Sequence, residues 1–146
     1  GKGRMYAKLA GLIPVFDVQG EQLDQGAMLR YLSEMIWFPI AFLGANITWQ
    51  AVNNHSADVK LTDAGKSVSG RMYFEDDGRP TNFTTLRYRE IDGDFSLDPL
   101  STPMTGYGVH GGLNLPTQGQ AVWNLPSGDL AYIDLEIKEI AYNMTA

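Results

Sequence analysis

The chain has 146 residues, of which 44% are hydrophobic and 19% are charged, values typical of one globular domain spanning residues 1–146. Its formal charge of -6 and pI near 4.7 argue against a nucleic-acid partner, because phosphates attract clusters of Lys and Arg. The absence of cysteine excludes disulfides, Fe–S clusters and thiol catalysis, and two histidines, His55 and His110, are too few for a purely histidine-based metal site. We therefore expect no metal and no cofactor.

The N-terminal part of the chain predicts one strand and one helix. Residues 5–18 form a nearly continuous apolar run, which predicts a long strand bent at Pro14, since proline cannot donate to a sheet ladder. Residues 21–37 then show apolar side chains at helical spacing, and Pro39 stops the helix. The apolar stripe of this helix consists of Leu29, Leu32 and Ile36.

Residues 47–143 predict antiparallel strands separated by turns, because apolar and polar residues alternate between Gly, Pro and Asp signals. The polar stretch 92–103 is interpreted as a mobile loop. The segment 107–143 predicts three strands, with a bulge near 138–139 and turns at 116–119 and 126–128.

These elements together predict a mainly β (α+β) fold. We expect a strongly curved antiparallel sheet, or an open half-barrel, of about seven to eight strands wrapping the single helix. Lipoprotein carriers and lipocalins have this kind of architecture, which by itself says little about function.

No catalytic motif is found, so we do not expect an enzyme and assign no catalytic residue. The segment GYGVHGG at 106–112 lacks the Lys-Ser/Thr of a phosphate-binding loop, and His110 has no accompanying nucleophile motif. The Asp-rich stretches fit turn chemistry better than calcium binding.

Two charged residues have alternative interpretations. Glu34 is either a buried acid in an apolar pocket or the partner of Arg30 or Arg87 in an ion pair, and the ion pair is favoured. Arg87 and Arg89 lie on the same face of a strand, where they form an anion site if that face is concave. Ordinary charges facing water are the favoured alternative.

Several aromatic side chains are candidates for lining a ligand pocket, because such pockets are mostly apolar and aromatic. Filling of the core is the favoured alternative. With the two charged residues, the candidate ligand-binding set is Trp37, Trp49, Tyr107, Trp123, Tyr132, Glu34 and Arg87.

The chain also resembles an uncharacterised bacterial and archaeal family that is known only as a domain of unknown function. The resemblance rests on LRYLSEMIWFP at 29–39, ITWQAVNNHSADVKLTDAG at 47–65, MYFEDDGRPTNFTTLRYR at 72–89, and the segment 107–143. It implies no activity, cofactor or catalytic residue. Gln50, Asn53 and Met104 depart from the pattern of that family.

The expected function is binding of an apolar or amphipathic, lipid-like molecule between helix and sheet. The alternative is a structural or protein-interaction module of a larger envelope protein. The start GKGRMYAKL is interpreted as a cut within a longer, exported or membrane-anchored bacterial protein. The sequence leaves compartment, ligand identity and oligomeric state open.

Overall fold

The computed structural model describes the backbone of residues 4–9 and 13–142 and the side chains of residues 20–142. These ranges contain the helix α1, Glu21–Glu34, followed by two short 3₁₀ helices, Met35–Trp37 and Pro39–Leu43. The strands are β1 Arg4–Leu9, β2 Ile13–Gln19, β3 Ile47–Asn53, β4 Ser56–Asp63, β5 Lys66–Phe74, β6 Pro80–Ile91, β7 Asp94–Ser101, β8 Met104–His110, β9 Leu113–Leu125 and β10 Gly128–Glu136. No helix in the described ranges has the length and apolar character that a membrane span requires.

The main sheet confirms the predicted fold class. It has eight antiparallel strands in the order β10-β9-β7-β6-β5-β4-β3, with β8 also paired to β9. The sheet curls without closing, and in the described part of the chain β3 and β10 end the path of paired strands, while β8 pairs with β9 alone. The helix α1 lies against one face of it.

The prediction of one strand over residues 5–18 is wrong. Strands β1 and β2 pair with each other as a separate antiparallel hairpin, with Met5 opposite Val18 and Leu9 opposite Ile13. Pairing satisfies those backbone N–H and C=O groups of each strand that face the other strand, which one long unpaired strand would leave unbonded. The apolar run indicates that the segment is extended, but it does not indicate where the chain reverses direction.

The stretch 92–103, predicted to be a mobile loop, is mostly the strand β7. The turn before it has φ of 52° at Asp92 and 92° at Gly93, which is the geometry of a two-residue hairpin turn. Pro99 is tolerated in this strand because pairing of β7 with β9 begins only at Leu100, so the missing proline N–H breaks no ladder bond there.

The C-terminal turns were also predicted only in part. The real turn between β8 and β9 is at Gly111 and Gly112, whose φ values are 57° and 82°. Residues 116–119, predicted to be a turn, lie inside β9, whereas a turn does follow at 126–127. The bulge in β10 falls between Ala131 and Ile133, and the strand ends at Glu136, before the position predicted for it.

The core lies between α1 and the first half of the main sheet. The predicted stripe is buried, and Leu32 has 0% exposure. It packs on a cluster drawn from β3, β4, β5, β6 and β8: Ile47, Val59, Leu61, Val68, Met72, Phe83 and Met104. One helix therefore covers about half of the sheet, and the face of β7, β9 and β10 beside it is left for a groove.

Candidate functional site

A groove of about 260 Å³ runs between the last turns of α1 and the strands β6 to β10. Its walls are mostly carbon, which is usual for small-molecule sites. The residues that line it are Leu29, Arg30, Ser33, Glu34, Trp37, Arg87, Leu100, Thr102, Pro103, Met104, Gly119, Gln120, Ala121, Tyr132, Ile133 and Leu135.

The helical wall of the groove ends at Trp37, which is fixed by two hydrogen bonds, one to strand β9 and one to the segment that follows β10. Its indole N–H donates to the carbonyl oxygen of Pro116 at 2.8 Å, and its own carbonyl oxygen accepts from the Tyr142 hydroxyl at 2.5 Å. The ring contributes an apolar surface whose position is set before any ligand arrives, which lowers the entropic cost of binding.

Two basic side chains and one acidic side chain line the groove. Glu34 accepts a hydrogen bond from the Arg30 guanidinium at 2.7 Å, and this contact raises the pKa of Arg30 above its ordinary value. The ion pair leaves Arg87 as the remaining charged residue of the lining. The groove is therefore locally positive in a chain with a formal charge of -6.

Arg87 is held by the helix and by β10. One terminal N–H donates to the Tyr132 hydroxyl at 2.9 Å, and the guanidinium lies over Gly26, where a Cβ atom would sit 3.3 Å from Nε. The Nε atom is buried and has no hydrogen-bond partner. Within residues 20–142, no carboxylate pairs with this guanidinium. The prediction that Arg87 faces water is wrong, since it lies on the helix-covered face.

Four of the seven candidate residues meet at the groove: Glu34, Trp37, Arg87 and Tyr132. Trp123 lies behind Tyr132, with the two rings stacked at a centroid distance of 5.6 Å, and it supports the wall without lining it. The Arg89 guanidinium lies 5.8 Å from the Trp123 ring and pairs with Asp98 at 2.7 Å.

The remaining two aromatic candidates lie elsewhere. Trp49 is on the edge strand β3, where its ring meets Phe42 at 5.3 Å, and it is 42% exposed. Tyr107 is under the Arg79 guanidinium, 5.0 Å from it, and burial raises the pKa of its hydroxyl. Neither residue lines the groove.

The groove continues past Gly119 into a second, more polar hollow of about 460 Å³. The two share Pro103, Gly119, Gln120 and Leu135, and the second adds polar side chains, among them Thr105, Gln118 and Asp134. Sequence reasoning did not identify Gly119 as a site residue, because a glycine inside a strand carries no chemical signal and was interpreted as part of a turn.

The described residues contain no group of three or more His, Cys, Asp or Glu side chains arranged to hold a metal ion. The arrangement at the groove is instead a preformed apolar surface with one cation at its side. That combination can hold a molecule with an apolar body and an anionic group.

Comparison with known proteins gives a family and no activity. No curated protein matches the chain, and no solved structure matches it. The model of a family of unknown function (DUF6544) matches residues 1–135, which is most of the chain. The chain therefore belongs to this family of unknown function.

Proposed function

We propose that the protein binds an amphipathic small molecule with an apolar chain and an anionic head in the groove between α1 and the sheet. The observation that carries this proposal is Arg87, a guanidinium at an apolar groove without a carboxylate partner among residues 20–142. A carboxylate or a similar anion fits a guanidinium through paired hydrogen bonds.

The apolar part of the ligand is expected to lie along Leu29, Trp37 and Leu135. The groove volume of about 260 Å³ is just below the usual lower limit of roughly 300 Å³ for small-molecule pockets, which suits one alkyl chain better than a bulky ring system. A longer chain would pass over Gly119 into the second hollow.

The test compares two ligands of equal chain length, dodecanoate and dodecanol, by quenching of tryptophan fluorescence. Dodecanoate is expected to bind with a Kd of the order of micromolar, and dodecanol about tenfold more weakly because it lacks the charge. Arg87→Met keeps an apolar stem of similar length and should reduce dodecanoate binding to the level of dodecanol. The binding of dodecanol should not change.

Arg79→Met is the matched control, because Arg79 lies on Tyr107, outside the groove. It removes the same charge from the chain and should leave both affinities unchanged. No quenching by a panel of fatty acids, detergents and hydrophobic dyes, with the fold intact, would contradict the proposal. If the wild type and Arg87→Met bind dodecanoate equally well, the part of the proposal that assigns an anionic head to Arg87 is wrong.

A second candidate function, a protein-interaction module, is favoured by a separate observation. Two of the most exposed large apolar side chains, Ile40 at 77% and Leu43 at 81%, lie on the segment that leads into the edge strand β3. Exposed apolar side chains grouped in this way are typical of interaction surfaces.

A further inference from the structure

The outer edge of β3 is an open pairing site in the described part of the chain. Strand β3 pairs with β4 on one side, and no described strand pairs with it on the other. All of its residues after Ile47 are exposed. We call this edge, together with the exposed side chains of Ile40, Leu43, Trp49 and Val52, the β3 surface.

The backbone groups on this edge can be assigned from the ladder. The Thr62 N–H donates to the carbonyl oxygen of Asn46 at 2.9 Å, so Asn46 uses its carbonyl toward β4. Because antiparallel ladders alternate, Thr48 and Gln50 also turn their N–H and C=O groups to β4. Trp49 and Ala51 therefore point theirs outward, where a further strand would meet them.

The two edges of the main sheet differ in how they are protected. Natural edge strands avoid unwanted pairing through charges and bulges. Strand β10 has both, with Asp129, Asp134 and Glu136 and a bulge beside Ile133. Strand β3 also has a bulge, between Ala51 and Asn53, but it has no charged side chain. The segment 35–57, which includes β3, contains no Asp, Glu, Lys or Arg, and the first charged residue after it is Asp58. The β3 surface thus has no charge to keep a second strand away.

We propose that the β3 surface binds a second copy of this chain, through antiparallel pairing of β3 with β3 of the other copy about a two-fold axis at Gln50. In this register Trp49 lies opposite Ala51 of the other copy, so a large side chain meets a small one, and Thr48 lies opposite Val52. No like charges face each other. The strand is therefore complementary to itself, as a two-fold interface requires.

Charge favours a second copy over an unrelated partner. A different protein that recognises a chain of formal charge -6 is expected to use complementary basic groups, and the β3 surface offers it no acid. Two copies of an acidic chain repel each other least where they meet through an uncharged surface. This inference does not depend on ligand binding in the groove.

The test is a charge exchange at Gln50 with the mass measured by sedimentation equilibrium. The wild type should have twice the mass of the 16.1 kDa chain at concentrations of about 100 µM. Gln50→Lys and Gln50→Glu should each be monomeric, because two like charges then face each other across the axis. An equimolar mixture of the two variants should recover the dimer.

Ala131→Lys is the control, since Ala131 is exposed on the other edge strand, β10. It should leave the dimer intact. The amides of Trp49 and Ala51 should exchange slowly with deuterium in the wild type and rapidly in Gln50→Lys. A wild type that is monomeric up to about 500 µM, a dimer that persists in both Gln50 variants, or a mixture that stays monomeric would overturn the proposal.

Discussion

Arg89, Asp98 and Ser96 show how a strand can carry a carboxylate on its helix-covered face. Asp98 accepts hydrogen bonds from the Ser96 hydroxyl and from the Arg89 guanidinium, both at 2.7 Å. The hydrogen bond from Ser96, and after it the hydrogen bond from Arg89, lowers the pKa of Asp98 below its ordinary value. The sequence stretch 92–103 looked like a loop because it is polar, but the charge of Asp98 is paired within the sheet.

The lowered pKa predicts a pH dependence. The carboxylate of Asp98 is preferred in the folded state, so it contributes stability above the unfolded pKa of about 3.9, and this contribution is lost as the pH falls through the folded pKa. Asp98→Asn should therefore be less stable than the wild type at pH 7. The difference between their free energies of unfolding should become smaller below about pH 4. Urea unfolding at a series of pH values measures this.

The exposed residue Asp94, in the same strand, is the control for that series. Asp94→Asn should have the same free energy of unfolding as the wild type at every pH. The difference in free energy of unfolding between the wild type and Asp98→Asn could instead stay constant from neutral to acidic pH. That result would show that the substitution acts through packing and not through the charge.

At the scale of elements, the helix and the hairpins β3–β4 and β4–β5 were predictable because their signals are local. Helical spacing and strand alternation are properties of a few consecutive residues. They predicted a helix that begins at residue 21 and antiparallel strands that begin at residue 47, where α1 and β3 begin. The pairing of β1 with β2 was not predictable in the same way, since one uninterrupted apolar run suits one strand or two. The turn at Gly111 was missed because several Gly and Pro residues nearby compete as turn signals.

The helix is expected to contribute strongly to stability because its stripe forms the centre of the core. Leu32 is fully buried against the sheet, so Leu32→Ala should cost about 2–5 kcal/mol through lost burial and a residual cavity. Tyr31→Ala, at the neighbouring and 47% exposed position, should change stability much less. Chemical denaturation of both variants provides the comparison, and a loss under about 0.5 kcal/mol for Leu32→Ala would place the helix outside the cooperative core.

At the scale of the whole molecule, the groove arises because one helix covers only part of a curled sheet. Trp37 comes from the end of the helical segment, Arg87 from β6 and Tyr132 from β10, three elements that are distant in the sequence. Strand alternation placed each side chain on a face, but it does not tell which strands are neighbours across a sheet. That is why Trp49 and Tyr107 were grouped with residues they do not approach.

Gly119 provides the last test, because it forms the floor where the groove meets the second hollow. A Cβ atom there would lie 3.5 Å from Leu135 and 3.7 Å from Trp37, which are ordinary contact distances, so a side chain can be added without forcing the backbone. A leucine at this position would extend into the groove and occupy the space that we assign to the alkyl chain.

Gly119→Leu should therefore retain its melting temperature to within about 4 °C of the wild type and lose most of its affinity for dodecanoate. Gly119→Ala, which adds only a methyl group, should bind nearly as well as the wild type. The measurement combines thermal unfolding with the fluorescence titration of both variants. If Gly119→Leu binds dodecanoate as tightly as the wild type does, the alkyl chain lies elsewhere on the molecule, because a filled groove and an unchanged affinity are incompatible.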